Sequence, residues 1–179
     1  MNKREVILYI AMSLDGFIAT ESGGIDWLSI VEKPNEDYGY TEFVKTTDTV
    51  IMGRKTYDKV LSFGIDFPHK DKTCFVLSKT KSGKDENVSF YNGDVKELIA
   101  QIRQSDGKHI YCDGGAEIVF ELMKQKLIDR FVISIIPILL GNGIRLFQNG
   151  NQTNELILIK NKVFESGLIQ LEYITKNHS

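Results

Sequence analysis

The sequence predicts an α/β domain: a mixed, mainly parallel sheet with helices on both faces, three layers in all. Five short runs are almost continuously apolar and rich in β-branched and aromatic residues, the pattern of strands buried on both sides. Between them lie segments of about 8 to 12 residues with helical spacing, the alternation that parallel strands need for their crossovers. The last two apolar runs are separated by only four residues, so they read as an antiparallel hairpin closing a sheet edge.

Taken in order, the first strand is Val6 to Ala11, followed by Thr49 to Met52, Thr73 to Leu77, His109 to Cys112 and Phe131 to Ile136. The clearest helix opens at Asp94, where Asp94 and Glu97 form an N-cap signature. Val95, Leu98, Ile99 and Ile102 then recur at helical spacing, and Asp106-Gly107 ends the segment. The closing hairpin pairs Leu156 to Val163 with Leu168 to Ile174 around Phe164-Glu165-Ser166-Gly167. There are no repeats and no low-complexity linker, and 179 residues with 42% hydrophobic content suit a single domain over residues 1 to 179.

Composition narrows the function classes. The 22 basic and 24 acidic residues are mixed along the chain, giving a formal charge of -2 and no basic stripe for a nucleic acid. Cys74 and Cys112 both sit inside apolar runs and read as buried free thiols of a reducing compartment. The apolar stretch Val6 to Met12 is too short for a signal sequence, and no run approaches the roughly 18 residues of a membrane span. A soluble cytoplasmic protein is the expectation. His69, His109 and His178 are scattered and no cysteine pair has ligand spacing, so no metal is expected. His69, in Pro68-His69-Lys70-Asp71, reads as an exposed loop residue.

Two glycine-containing turns carry the chemistry. Met52-Gly53-Arg54-Lys55-Thr56 and Asp113-Gly114-Gly115-Ala116 each follow a strand-like run and open a helical pattern. Glycine lets the backbone approach an oxyanion, and the free N–H groups of a first helical turn point at it with the helix dipole behind them. Two such sites, one with Arg54 and Lys55 adding full charges, favour a doubly phosphorylated, dinucleotide-like ligand. Taken alone, either turn is also compatible with an ordinary solvated helix start.

The stretches Ile7 to Ala19, Val50 to Tyr57, Phe75 to Lys79, Tyr111 to Ala116 and Leu127 to Phe147 together resemble the dihydrofolate reductase superfamily. Within it, the chain is similar to the C-terminal reductase domain of the bifunctional riboflavin-biosynthesis enzyme. The zinc-deaminase half has no counterpart here, since no His-x-Glu with Pro-Cys-x-x-Cys is present. The resemblance implies a mostly parallel eight-stranded sheet, NADPH as hydride donor and a homodimer. It places Gly53, Arg54, Lys55 and Thr56 at the cofactor phosphates, with Ser78 and Lys79 flanking the same 2′-phosphate. It places Gly114 and Gly115 at the pyrophosphate, and Ala11 and Ile18 beside the nicotinamide. Ala11 also ends the first strand, where open α/β sheets bind ligands.

On the substrate side the resemblance points to Asp37 as a proton-delivering carboxylate, with Ser134 as a hydroxyl facing it. A carboxylate in an apolar cleft holds its proton more readily, which suits that task. The polar segment around Asp37 equally fits an exposed helix cap, and Ser134 equally fits a hydroxyl satisfied within the sheet. Trp27 belongs to the loop after the first strand, ten residues before Asp37 and farther from it than in true dihydrofolate reductases. Gly141-Asn142-Gly143 forms a glycine-rich loop suited to a phosphate or a ribityl hydroxyl, or else a plain wide turn.

The function expected from these residues is NADPH-dependent hydride transfer to a C=N or C=O bond of a heterocyclic small molecule. The type is closest to 5-amino-6-(5-phosphoribosylamino)uracil reduction. The alternatives are a nucleotide-binding module without efficient catalysis, or authentic folate reduction.

Overall fold

The computed structural model describes residues 3–150 and 153–176; His178 lies outside them. The strands are β1 (Val6–Ser13), β2 (Phe17–Ala19), β3 (Thr47–Gly53), β4 (Thr73–Leu77), β5 (Gly83–Lys84) and β6 (Ser89–Tyr91), then β7 (His109–Gly114), β8 (Arg130–Ile136), β9 (Ile144–Arg145), β10 (Leu156–Val163) and β11 (Ile169–Thr175). The helices are α1 (Tyr40–Lys45), α2 (Arg54–Ser62), α3 (Val95–Ile102) and α4 (Ala116–Lys124), with a 3-10 helix at Asp26–Val31.

Nine strands form the main sheet in the order β10-β11-β8-β1-β7-β3-β4-β6-β5, and β2 pairs with β9 in a separate ribbon. The expected eight strands gain a ninth because the two-residue β5 folds back antiparallel on β6. β8, β1, β7, β3, β4 and β6 run parallel, whereas β11 meets β8 antiparallel and β10 meets β11 antiparallel. The C-terminal ends of the parallel strands therefore lie along one rim, the usual ligand rim of such sheets.

Strand burial explains the continuous apolar runs. In β3, Val50 and Met52 face a cluster with Tyr57, Phe67, Cys74 and Val76, while Ile51 faces a second cluster built on α3 and α4. The first face is covered by α1 through Tyr40 and Phe43 and by α2 through Tyr57 and Val60. On the second, Val95, Leu98, Ile99 and Ile102 of α3 pack with Val119 and Leu122 of α4, as the helical spacing predicts. The cap is also as read: the Asp94 carboxylate accepts the Lys96 N–H at 2.7 Å. A third cluster, Trp27, Val31, Ile136, Phe164 and Leu168, sits under the 3-10 helix and the hairpin turn.

The hairpin closes through Gly167 at φ +85°, which donates its N–H to the Phe164 carbonyl. Its outer strand β10 is exposed along its whole length, Leu156, Ile157, Leu158 and Ile159 included. Cys74 and Cys112 are free and buried, and burial pushes both thiols up to about 12. Among the described residues no helix is long and apolar enough to cross a membrane.

Candidate functional site

Two helix starts meet on the C-terminal rim. β3 ends at Gly53 and passes directly into α2, and β7 ends at Gly114 and passes through Gly115 into α4. These strands are neighbours, with Met52 abreast of Gly114. The glycines are required by closeness: a Cβ on Gly53 would stand 2.9 Å from Ile118 Cγ1, and one on Gly115 would stand 3.1 Å from Thr56 Oγ1. The Gly114–Gly115 peptide is cis, and Gly114 has φ +92°. Neither helix has a side-chain cap, in contrast to Asp94 on α3. First-turn N–H groups of two adjacent helices thus remain available on one rim, a donor set that fits two phosphates.

The charged residues around this pair hold one another. Arg54 Nε donates to Asp58 one turn on, at 2.7 Å, and Lys55 Nζ donates to Glu117 of α4 at 2.7 Å. Beyond them, the Arg54 guanidinium lies 5.6 Å and the Lys81 ammonium 5.3 Å from the centre of the Phe90 ring. Ser78 follows β4 and its Oγ accepts the N–H of Thr80 and of Lys81, a local turn that fixes where Lys81 begins. Arg54, Ser78 and Lys81 are thereby gathered around β6, and Lys81 is a cation the sequence motifs did not single out. Lys79 is exposed in the same turn.

At the nicotinamide positions, Ala11 of β1 lies abreast of Ser134 of β8. Ile18 lies on β2 and packs against the α3–α4 cluster. Trp27 is not on an open loop: it is buried on the 3-10 helix, where its Nε1 finds no hydrogen-bond partner in the protein.

The substrate-side expectations need correction at three places. Asp37 is exposed, and its carboxylate oxygens accept the N–H groups of Gly39 and Thr41 at 2.9 Å, capping α1. The Thr41 hydroxyl and these amides hold its carboxyl down at about 2, so it has the chemistry of a cap and not of an acid in an apolar cleft. Ser134 is buried but faces Gln170 of β11, whose amide donates to Ser134 Oγ at 3.1 Å and to Tyr9 Oη at 3.1 Å. The glycine-rich loop is spent on the protein itself. Gly141 N–H goes to Asp15 Oδ2 at 2.7 Å and Leu140 N–H to Oδ1 at 3.1 Å. Gly143 is pressed against β2, where a Cβ would fall 2.3 Å from the Ala19 carbonyl oxygen. Asp15 is in turn held ionised, chiefly by the Ser13 hydroxyl at 2.6 Å.

What the sequence reading missed is a polar network on the α1-covered face. Tyr111 Oη donates to Asp113 Oδ1 at 2.7 Å, and His69 Nε2 lies 3.4 Å from Asp113 Oδ2. His69 is 2% exposed, not a surface loop residue, because Phe67 and Tyr111 meet it edge-on at 5.7 and 5.8 Å. Tyr9 stacks on Phe43 at 4.4 Å and donates to the Tyr38 carbonyl at 2.9 Å. Burial, and then the Asp113 charge, push Tyr40 up to about 12. The signal was present: Tyr9 and Ala11, like Tyr111 and Asp113, are two apart and so share a sheet face. Separately, a groove of about 380 Å³ between the 3-10 helix and Phe63 is lined by none of the expected site residues.

Residues 4–170 match the RibD C-terminal domain family. The uncharacterized protein YwjB of Bacillus subtilis (strain 168) is 43% identical over 173 residues, covering 96% of this chain and 98% of YwjB. A Shewanella sp. PV-4 protein assigned to riboflavin biosynthesis has a structure superposing with TM-score 0.89 at 37% identity, over 96% of this chain and 99% of that one. The bifunctional diaminohydroxyphosphoribosylaminopyrimidine deaminase/5-amino-6-(5-phosphoribosylamino)uracil reductase of Thermotoga maritima gives 0.72 at 14% identity, over 97% of this chain and 57% of that enzyme. Dihydrofolate reductase of Enterococcus faecalis gives 0.69 at 18%, over 97% and 98%, so the fold is dihydrofolate reductase-like.

Proposed function

The chain belongs to the RibD C-terminal domain family, and from that premise we propose that it is an NADPH-dependent reductase of a flat heterocycle. The substrate type we favour is a ribosylaminopyrimidine such as 5-amino-6-(5-phosphoribosylamino)uracil, reduced at a C=N or C=O bond. The observation that carries the reading is the pair of uncapped helix N-termini, α2 and α4, opening from adjacent strand ends.

In this reading the first-turn N–H groups beside Gly53 and Gly114–Gly115 bind the pyrophosphate and the 2′-phosphate. Arg54 exchanges Asp58 for the 2′-phosphate, and Lys55, Thr56, Ser78, Lys79 and Lys81 complete that end. The small Ala11, in the C-terminal half of β1, leaves room for the nicotinamide, which supplies the hydride when the cofactor is bound. Ile18 and Trp27 close the other side. The protein's part is orientation and electrostatics, with no nucleophile. The chain acts in the cytoplasm. It works as a homodimer, because both faces of β10 present apolar side chains that a second copy would cover.

The test is a screen that follows NADPH absorbance with pterins, quinonoid compounds and ribosylaminopyrimidines, beside NADPH and NADH titrations. Turnover of a ribosylaminopyrimidine supports the reading. Efficient dihydrofolate turnover, or no affinity for either cofactor, refutes it.

A further inference from the structure

We infer that the 3-10 helix and the turn after it, residues 25–39, form a movable wall beside Ala11, and that Tyr38 is the clasp that closes it. The inference rests on the reductase reading for which ligand the wall covers, and goes beyond it in naming what gates the site.

The backbone of this segment is not tied to the sheet. Leu28 donates its N–H to the Ile25 carbonyl, Glu32 to Ser29, Glu36 to Lys33 and Tyr40 to Asp37. Among the described residues, no backbone–backbone bond of residues 25–37 goes to a strand. Glycines stand at both ends, Gly23 at φ +78° and Gly39 at φ +85°. On the inside, Trp27 and Val31 pack with Ala11, Tyr38 and Leu168. On the outside, the groove of about 380 Å³ separates Ile25, Leu28 and Glu32 from Phe63, so open space and not a second packed layer lies behind the helix. The loop directly after β1 is different. Asp15 ties it to Ser13 and to the Leu140 and Gly141 amides, and β2 ties it to β9. Motion at this rim therefore belongs to residues 25–39.

Tyr38 has every polar atom committed across the boundary. Its Oη donates to the Val31 carbonyl and lies 2.9 Å from Ser166 Oγ in the hairpin turn. Its carbonyl accepts the Tyr9 hydroxyl of β1 at 2.9 Å and the Gln170 amide of β11 at 3.2 Å. Its N–H goes to Glu36 Oε1 at 2.8 Å, and its ring meets Phe164 edge-on at 4.8 Å. One residue thus joins the end of the 3-10 helix, the hairpin and two strands. The other polar tie from the wall to the hairpin is Lys33 to Glu165 at 3.3 Å, an exposed pair that contributes little. The clasp is held at a cost. Tyr38 stands at φ +58°, a region that a bulky side chain avoids, and the closed wall leaves Trp27 Nε1 buried with no hydrogen-bond partner in the protein. Bonds that favour closing, set against strain and an orphaned donor, make an element whose two positions lie close in free energy. A ligand on Ala11 enters when the wall opens and, once bound, favours the closed position through its contacts with the wall.

The experiment is hydrogen–deuterium exchange of the full-length protein read on peptides, with acrylamide quenching of Trp27, the only tryptophan in the chain, as an independent reporter. The wild type is compared with Tyr38→Phe, which keeps the ring and removes the hydroxyl bonds, with Ser166→Ala and with Asp15→Asn. In Tyr38→Phe, residues 25–39 are expected to exchange at least about fivefold faster, the shift that one lost hydrogen bond gives, with β1 and β8 unchanged and Trp27 more open to acrylamide. Ser166→Ala is expected to act on the same residues by a smaller factor, and it decides the matter if Tyr38→Phe does not fold. Asp15→Asn is expected to leave them as in the wild type. Unchanged exchange of residues 25–39 in Tyr38→Phe and Ser166→Ala, faster exchange spread over the strands, or a larger effect of Asp15→Asn would each overturn the inference. Saturating NADPH is expected to slow exchange of residues 25–39 in the wild type. If NADPH binds by calorimetry and their exchange stays the same, the gate is overturned; if NADPH does not bind, the reductase reading alone falls, because exchange without ligand still decides the clasp.

Discussion

Substituting Gly143 by alanine separates a structural loop from a ligand-binding one. Gly143 has φ +144°, and a Cβ there would lie 2.3 Å from the Ala19 carbonyl oxygen and 3.3 Å from the carbonyl carbon. A carbon normally comes no nearer to a carbonyl oxygen than about 3.3 Å, so the methyl group is roughly 1 Å too close. The obstacle is backbone, and β2 is fixed in place by its pairing with β9, which begins at Ile144. Overpacking of this kind costs about 1–3 kcal/mol, and holding a non-glycine residue in glycine's region of backbone space costs about as much again. A total of about 3 kcal/mol lowers the melting temperature of a chain this size by roughly 6–12 °C. Differential scanning calorimetry should find that drop for Gly143→Ala, with NADPH affinity below the transition unchanged. A melting temperature within about 2 °C of the wild type would refute the packing argument. Loss of ligand affinity at unchanged stability would return the loop to a binding role.

Three other outcomes follow from the same structure. Arg54→Ala should weaken NADPH by at least roughly tenfold and NADH little, because only the former carries a 2′-phosphate to exchange for Asp58; parallel cofactor titrations decide it. Stability should fall as pH drops from about 4 toward 2. Asp37 and Asp15 titrate below their unfolded values, so the unfolded chain binds more protons in that window. Urea unfolding against pH should show a shallower decline for Asp37→Asn, and an identical slope would remove Asp37 as the cap. Leu158→Lys on the exposed β10 should convert a dimer into a monomer of 20.3 kDa by light scattering, whereas a monomeric wild type would disprove the assembly.

The fold was legible because its signals are local. Val6 to Ala11 and Phe131 to Ile136 have no polar face to lose, which only a two-sided burial explains, and Asp94 announces α3 by its own side chain. Short elements such as β2, β5 and β9 escaped notice because two or three residues carry no period. The two glycine turns were legible for the same local reason: glycine, strand end and helix start are contiguous in the chain. The substrate side depends on long-range placement. Asp37 has the spacing that the resemblance implies for a catalytic carboxylate, yet it is exposed and its oxygens are taken by the Gly39 amide and the Thr41 amide of α1. His69 and Asp113 are 44 residues apart, and only the placement of β7 beside β3, with β4 on the other side of β3, brings them together. A histidine in Pro-His-Lys-Asp looks solvated until Phe67 and Tyr111 are seen to enclose it.

The most direct test of the central claim is a calorimetric titration of the wild-type protein with NADPH and with NADH. Two uncapped helix starts and the Arg54–Lys55 pair predict NADPH binding at least roughly tenfold tighter than NADH, since one charge-assisted phosphate contact accounts for that ratio. Equal affinities for the two cofactors, or no heat of binding with either, would contradict it.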